Sequence, residues 1–151
     1  MNKPYAYYEH KNLKDFNELL TLNLKDKKDD VSFIFNNAQK EQIKKTYNDF
    51  YKDVTLMSNY LSNNFKHKHI ALIGENSYNY LVLFFSIIIS KNVAVLIDKD
   101  LSTEKINELL KKSDCKVIYY SKNYCDLEGL EKKYKSYFID DIDITIKNSK
   151  D

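Results

Sequence analysis

Arginine and tryptophan are absent from this chain of 151 residues, proline occurs once, and glycine and cysteine occur twice each. Each shortage excludes something. All 24 basic residues are lysines, so no planar guanidinium fork is available to phosphate or carboxylate, and any anion site would rest on lysine or backbone N–H groups. With only Gly74 and Gly129, the chain cannot build a P-loop, which needs two glycines ahead of Lys-Ser/Thr, or a dinucleotide fingerprint, which needs three. The nucleophile elbow G-x-S-x-G is missing as well. Cys115 and Cys125 are too few for a disulfide scaffold and fit a reduced, cytoplasmic protein. Long apolar runs are also lacking: the longest, LVLFFSIII at 81–89, falls far short of the ~20 residues that span a bilayer. The N-terminus has no apolar stretch leading to a small-residue cleavage site, so no signal peptide is expected. A net charge of +2 leaves no electrostatic footprint for nucleic acid or an anionic membrane.

What is present fits one compact soluble domain: 43% hydrophobic and 30% charged residues in a chain of this length. Residues 1–30 read as a polar N-terminal segment ending in the solvated cluster KDKKDD, 31–140 as an α/β unit, and 141–151 as a tail with little core-forming content. Within the unit, 31–35 (VSFIF) predicts a short strand, and Asn36-Asn37 a turn. A second short strand at 44–47 is placed to close a hairpin. Thr46 or Asn48 then caps a helix whose stripe of Phe50, Val54, Met57 and Leu61 has helical spacing and runs to about Asn64. Residues 70–73 predict an apolar strand ending at Gly74, and Asn76 or Ser77 caps a helix that is apolar nearly all round from 81 to 89. A helix without a polar face must be buried on several sides. A strand at 93–97, a helix capped by Ser102 and a strand at 117–120 follow, then a weaker helix at 127–134 and a last strand at 137–139. Strands alternating with helices of about ten residues imply βαβ units. The expected fold is α/β: a partial doubly wound, mainly parallel sheet with a short N-terminal β-hairpin.

Candidate site residues are few. Gly74, Asn76 and Ser77 lie where a strand ends and a helix opens, the place where open α/β sheets bind ligands and N–H groups point at anions. The plainer reading has Gly74 making the turn, Asn76 or Ser77 capping the helix, and Glu75 facing water. His67 and His69 form an i, i+2 pair without a third ligand, a poor metal signature. Asp98 and Asp100 invite a Mg²⁺ reading, yet capping of the next helix by Asp100 or Ser102 accounts for them. Asp140, Asp141 and Asp143 read as a solvated acidic tail. Neither cysteine has a sequence neighbour that marks a nucleophile. No catalytic residue and no metal ligand is assigned.

The segment HIALIGENSYNYLVLFFSIIISKNVAVLIDKDLSTEKINELLKKSDCKVIYYS, at 69–121, carries a resemblance. Tyr47-Asn-Asp-Phe50 opening a helix, the Gly74-Glu75-Asn76-Ser77-Tyr78 turn, and VAVLIDKDLSTEKI resemble the front of the large domain of AMP-forming, adenylate-forming enzymes. The wording is similar to the acyl-CoA synthetase branch, including long-chain fatty acid–CoA ligases, more than to amino-acid adenylation domains. The similarity covers 31–139. Ser90-Lys91-Asn92 stands where members usually have glycine, and Leu96 where they usually have proline. The resemblance implies a parent ligase that uses ATP, Mg²⁺ and coenzyme A to make an acyl-adenylate and then a thioester. The family's phosphate loop, adenine segment, ribose-binding Asp and C-terminal lysine have no matching residues here, so this piece is expected to be inactive alone. Its expected partners are the remainder of the ligase chain, or a second copy meeting an apolar face around the 78–89 helix. The competing reading is a free-standing, non-catalytic α/β interaction module.

Overall fold

The computed structural model describes residues 11–37, 39–123 and 133–148. An antiparallel hairpin of β1 (Val31–Asn36) and β2 (Gln42–Thr46) leads into α3 (Tyr47–Asn64). Next come β3 (His69–Ile73), α4 (Tyr78–Ile89), β4 (Val93–Ile97), α5 (Thr103–Lys112), β5 (Val117–Tyr120) and β6 (Lys135–Phe138). A 3-10 turn over Ile139–Asp141 leads to α6 (Ile142–Asn148). The four-stranded sheet has the order β4-β3-β5-β6, and every pair in it is parallel. The expected α/β fold, with its parallel sheet and separate hairpin, is the one observed.

Alternation along β3 explains the layering. Ile70 and Leu72 face a cluster built with α3, α4 and α6, whereas Ala71 and Ile73 face α5. Strand β5 repeats the pattern, with Val117 and Tyr119 on the first face and Ile118 and Tyr120 on the second. A strand covered on both sides can carry no polar side chain, hence its continuous apolar run. The stripe of α3 is buried as its spacing predicts: Val54, Met57 and Leu61 are wholly inaccessible, each worth about 1.5–3 kcal/mol of burial. Thr46 starts this helix through a capping box, accepting from the Asp49 N–H at 3.1 Å while Asp49 Oδ2 accepts from the Thr46 N–H at 2.9 Å. β2 therefore ends at Thr46, and Tyr47 is the first helical residue rather than the last of a strand.

Four regions differ from the sequence reading. Short helices α1 (Phe16–Thr21) and α2 (Leu24–Lys27) occupy part of the polar N-terminal segment. Phe16 sets its ring edge-on to Phe84 and Phe85 at 5.9 and 5.5 Å. Phe16 and the hairpin thus cover the outer side of α4, and no α4 residue is exposed. Tyr78, Val82, Leu83, Ser86 and Ile87 are buried and the other α4 residues half-buried. The tail folds too: α6 inserts Ile142 and Ile146, at 1% and 4% exposure, into the core. Two isoleucines four apart suffice, because they share one helix face. The last strand is Lys135–Phe138, with Ile139 already in the 3-10 turn. Most of the helix expected at 127–134, with Cys125 and Gly129, lies outside the described residues.

Helices α4 and α5 end alike. Lys91 adopts φ 61° while its N–H bonds to Ile88 O at 3.0 Å and the Asn92 N–H to Ile87 O at 3.0 Å. Asp114 adopts φ 50°, with its own N–H on Lys111 O at 3.1 Å and the Cys115 N–H on Leu110 O at 3.0 Å. Both are Schellman closures, which favour glycine at the left-handed residue. Lys91→Gly is expected to raise stability by about 1 kcal/mol, measured by urea denaturation with an unchanged m-value. The Asp49 carboxyl is held below its ordinary pKa chiefly by the hydrogen bond from the Thr46 backbone. A depressed carboxyl stabilises above its unfolded pKa, and that contribution fades as pH falls through the folded value. The stability gap between the wild type and Asp49→Asn is thus expected at neutral pH and to close below about pH 4, as followed by denaturation across a pH series.

Candidate functional site

In an open sheet with this order, the switch point lies between β3 and β5, where the chain first winds to one side and then to the other. Gly74 follows β3 and Ser121 follows β5, joined by the Ser121 N–H to Ile73 O at 3.1 Å. A Cβ on Gly74 would collide with Ser121 Oγ and come within 2.9 Å of Ile139 Cδ1. Ser121 and Ile139 therefore pack closely against the backbone of Gly74. Gly74 serves close packing between strand ends.

Beyond Gly74, Ser77 caps α4 by accepting from the Tyr80 N–H at 3.1 Å. Glu75, Asn76 and Ser77 are exposed. Gly74 and Asn76 border a shallow hollow of about 310 Å³ shared with Tyr80, Leu96, Asp98 and Lys99. Ser77 instead borders a larger cavity of about 660 Å³ on the other side of the turn. The three candidates are adjacent in sequence and do not share one cavity.

The larger cavity brings together residues that the sequence reading passed over. Asp53 of α3, with a 15% exposed side chain, accepts on one oxygen from Lys45 Nζ at 3.0 Å and from the Tyr78 hydroxyl at 2.8 Å. Lys45 Nζ also lies 5.1 Å from the Tyr78 ring centroid. Phe35 stacks on that ring at 5.3 Å, and Phe33 meets it edge-on at 5.3 Å. Burial, then the bond to Asp53, pushes the Tyr78 hydroxyl above its ordinary pKa, so it stays protonated and acts as a donor. Across the cavity, burial raises the Asp143 carboxyl, an effect opposed by the charge of Lys45. Lys45, Asp53 and Tyr78 come from a strand and two helices, and no local pattern announces such a cluster. The geometry ties the hairpin to α3 and α4.

The remaining candidates are engaged elsewhere. His69 Nδ1–H donates to Ser113 O at 2.5 Å, and His67 sits in an exposed turn with φ 53°. Asp98 Oδ1 accepts from the Asp100 N–H at 2.9 Å, and Ser102 caps α5. Asp140 and Asp141 bind the backbone and side chain of Lys122 at 2.8 and 2.5 Å, tying the end of β5 to the turn after β6 rather than trailing in solvent. Cys115 is buried, and burial raises its thiol pKa, the reverse of an activated nucleophile. Among the described residues, no three His, Cys, Asp or Glu side chains gather as a metal site, and no helix is long and apolar enough to cross a membrane. The sequence contains no glycine-rich loop.

A family model described as AMP-binding enzyme matches residues 20–148. Among solved structures, Klebsiella oxytoca NpsA in complex with 3-hydroxyanthranilyl-AMSN superposes with a TM-score of 0.71 at 18% identity, covering 91% of this chain and 26% of NpsA. Bacillus subtilis O-succinylbenzoate coenzyme A synthetase (MenE) in complex with AMP gives 0.69 at 15% identity, covering 85% of this chain and 32% of that one. The same enzyme with ATP and magnesium ion gives 0.69 at 15%. No curated protein matches. At these identities the likeness concerns the fold, and the chain spans about a quarter to a third of the length of these structures.

Gly74→Ala is expected to cost roughly 1–3 kcal/mol through overpacking. Adding Ser121→Ala, which removes the colliding hydroxyl, should recover part of that loss. Thermal denaturation of both variants checks it, and additive losses would show that the close approach is not what Gly74 provides.

Proposed function

Because the chain belongs to the family of AMP-binding enzymes, we propose that it forms the front of the large domain of an AMP-forming acid–thiol ligase of the acyl-CoA synthetase branch. Such a ligase joins a carboxylic acid to ATP as an acyl-adenylate with loss of pyrophosphate. It then passes the acyl group to a thiol such as coenzyme A, displacing AMP. Mg²⁺ would balance the triphosphate charge in the complete enzyme. We place it in the cytoplasm and in fatty acid metabolism.

The observation that carries this reading is the family match over residues 20–148, joined to a βαβ frame in the order of elements that such enzymes share. A fatty acid as substrate rests on the local wording from Gly74 to Tyr78, which is similar to the acyl-CoA branch. The role of this segment is structural support. Beside its switch point Ser121 and Ile139 pack against Gly74, and the cavity of about 660 Å³ next to Ser77 is lined by the paired Lys45, Asp53 and Tyr78. It supplies one flank of the large domain and no reacting group.

Exchange of labelled pyrophosphate into ATP tests the proposal. The 151-residue chain, given ATP, Mg²⁺ and a panel of fatty acids, is expected to show no exchange above an acid-free control. A longer chain carrying these residues is expected to exchange with a fatty acid. Exchange by the 151-residue chain itself would overturn the supporting role. A longer chain that responds only to amino or aryl acids would overturn the acyl-CoA branch.

A further inference from the structure

Two large apolar side chains open to solvent, Val93 and Leu96, lie on one edge of the parallel sheet. Strand β4 is the edge of the parallel sheet, with β3 on one side and no described strand on the other. Its sequence, VAVLI, contains no charge and no proline, the devices by which proteins blunt an exposed edge. Val93 and Leu96 are 48% and 55% exposed. The opposite edge is guarded: Lys122 Nζ lies 5.3 Å from the Phe138 ring, and Lys135 at the start of β6 reaches over Phe65 at 5.1 Å. The two edges of one sheet are therefore treated differently, and only β4 offers a bare template.

The backbone of β4 fits its own copy. The Val93 N–H donates inward to Lys68 O at 2.9 Å, so by the alternation of a parallel ladder Val95 and Ile97 also turn toward β3, while Ala94 and Leu96 turn N–H and C=O outward. Antiparallel pairing about a two-fold axis at Val95 sets Ala94 opposite Leu96 of the second copy, the two residues whose hydrogen-bonding groups face out. On the α4 side the exposed Leu96 then lies over the small Ala94. On the α5 side Val93 meets Ile97, and Val95 meets its own equivalent. Large side chains fall opposite small ones, and branched chains pair with branched chains, as stable cross-strand pairs do. We propose that β4 is a self-docking edge, through which two copies of this chain join their sheets into one continuous eight-stranded sheet. This surface lies at the sheet edge, away from α4, and the proposal does not depend on the ligase reading.

Sedimentation of the 151-residue chain over a concentration series, with amide exchange of β4, tests this. A reversible dimer is expected, with Ala94 and Leu96 amides that exchange more slowly as concentration rises. Leu96→Lys places a charge on the edge and should raise the dissociation constant roughly tenfold or more. Ile34→Lys, at a hairpin position 60% exposed, should leave it unchanged. Both sites are exposed, so circular dichroism and melting should match the wild type. A monomer at every concentration with fast-exchanging Ala94 and Leu96 amides overturns the proposal and leaves the edge to a strand from another protein or from further residues of a longer chain. A dimer that Leu96→Lys does not weaken overturns it equally.

Discussion

Strand β3 lies between β4 and β5 with α4 above it and α5 below, so Ile70, Ala71, Leu72 and Ile73 all point into apolar surroundings. This double burial is the constraint on which the rest depends. It removes any polar side chain from the centre of the sheet. It also requires α4 to be apolar where it meets β3 and α3, and it draws the only described glycine to the strand's end. Polar groups that do enter the interior are satisfied locally. Ser86 Oγ bonds to Val82 O and to Val54 O across two helices, at 2.6 and 3.1 Å. Asn92 accepts from the Lys68 N–H and donates to Phe65 O, at 2.8 and 3.1 Å. Each keeps a buried polar atom from being left unpaired.

The same packing shapes the functional picture. A parallel sheet concentrates its strand C-termini at one end, and ligands enter where neighbouring connections diverge. Here Ser121 and Ile139 pack closely against Gly74 at that end of the sheet. The chain belongs to the family of AMP-binding enzymes. Its polar cluster of Lys45, Asp53 and Tyr78 stands at the hairpin, in a cavity that Ser77 and Ile139 also line. There it couples the hairpin to the helical layer through one nearly buried carboxylate. A carboxylate so placed is held by its lysine and its hydroxyl together, and loss of either would leave the other bond to satisfy it alone.

Much of the fold was legible because local rules and tertiary demands agree. The Thr46 cap, the stripe from Phe50 to Leu61, the Ser77 and Ser102 caps and the apolar runs at β3, β4 and β5 all express periodicity or capping chemistry confined to a few neighbouring residues. The misread regions lack such agreement. Phe16 and Leu20 lie in a stretch rich in lysine, aspartate and asparagine, and Ile142 and Ile146 in an acidic one. A pair of apolar residues four apart is too short a signal to separate a docked helix from a solvated tail. The outer face of α4 looked open because the segment that covers it looked polar.

The sequence by itself determined the βαβ order, the separate hairpin, the helix caps, the want of arginine and glycine-rich loops, and the wording around Gly74 that resembles AMP-forming enzymes. These are properties of single residues or of short periods. The tertiary structure alone decided that Ser121 and Ile139 pack against Gly74, that Asp53 gathers Lys45 and Tyr78, and that Val93 and Leu96 of β4 lie exposed at the sheet edge. Each of these is a meeting of residues far apart in the chain. Such meetings are set by how layers stack and which strand ends at the edge, and no local spacing encodes them.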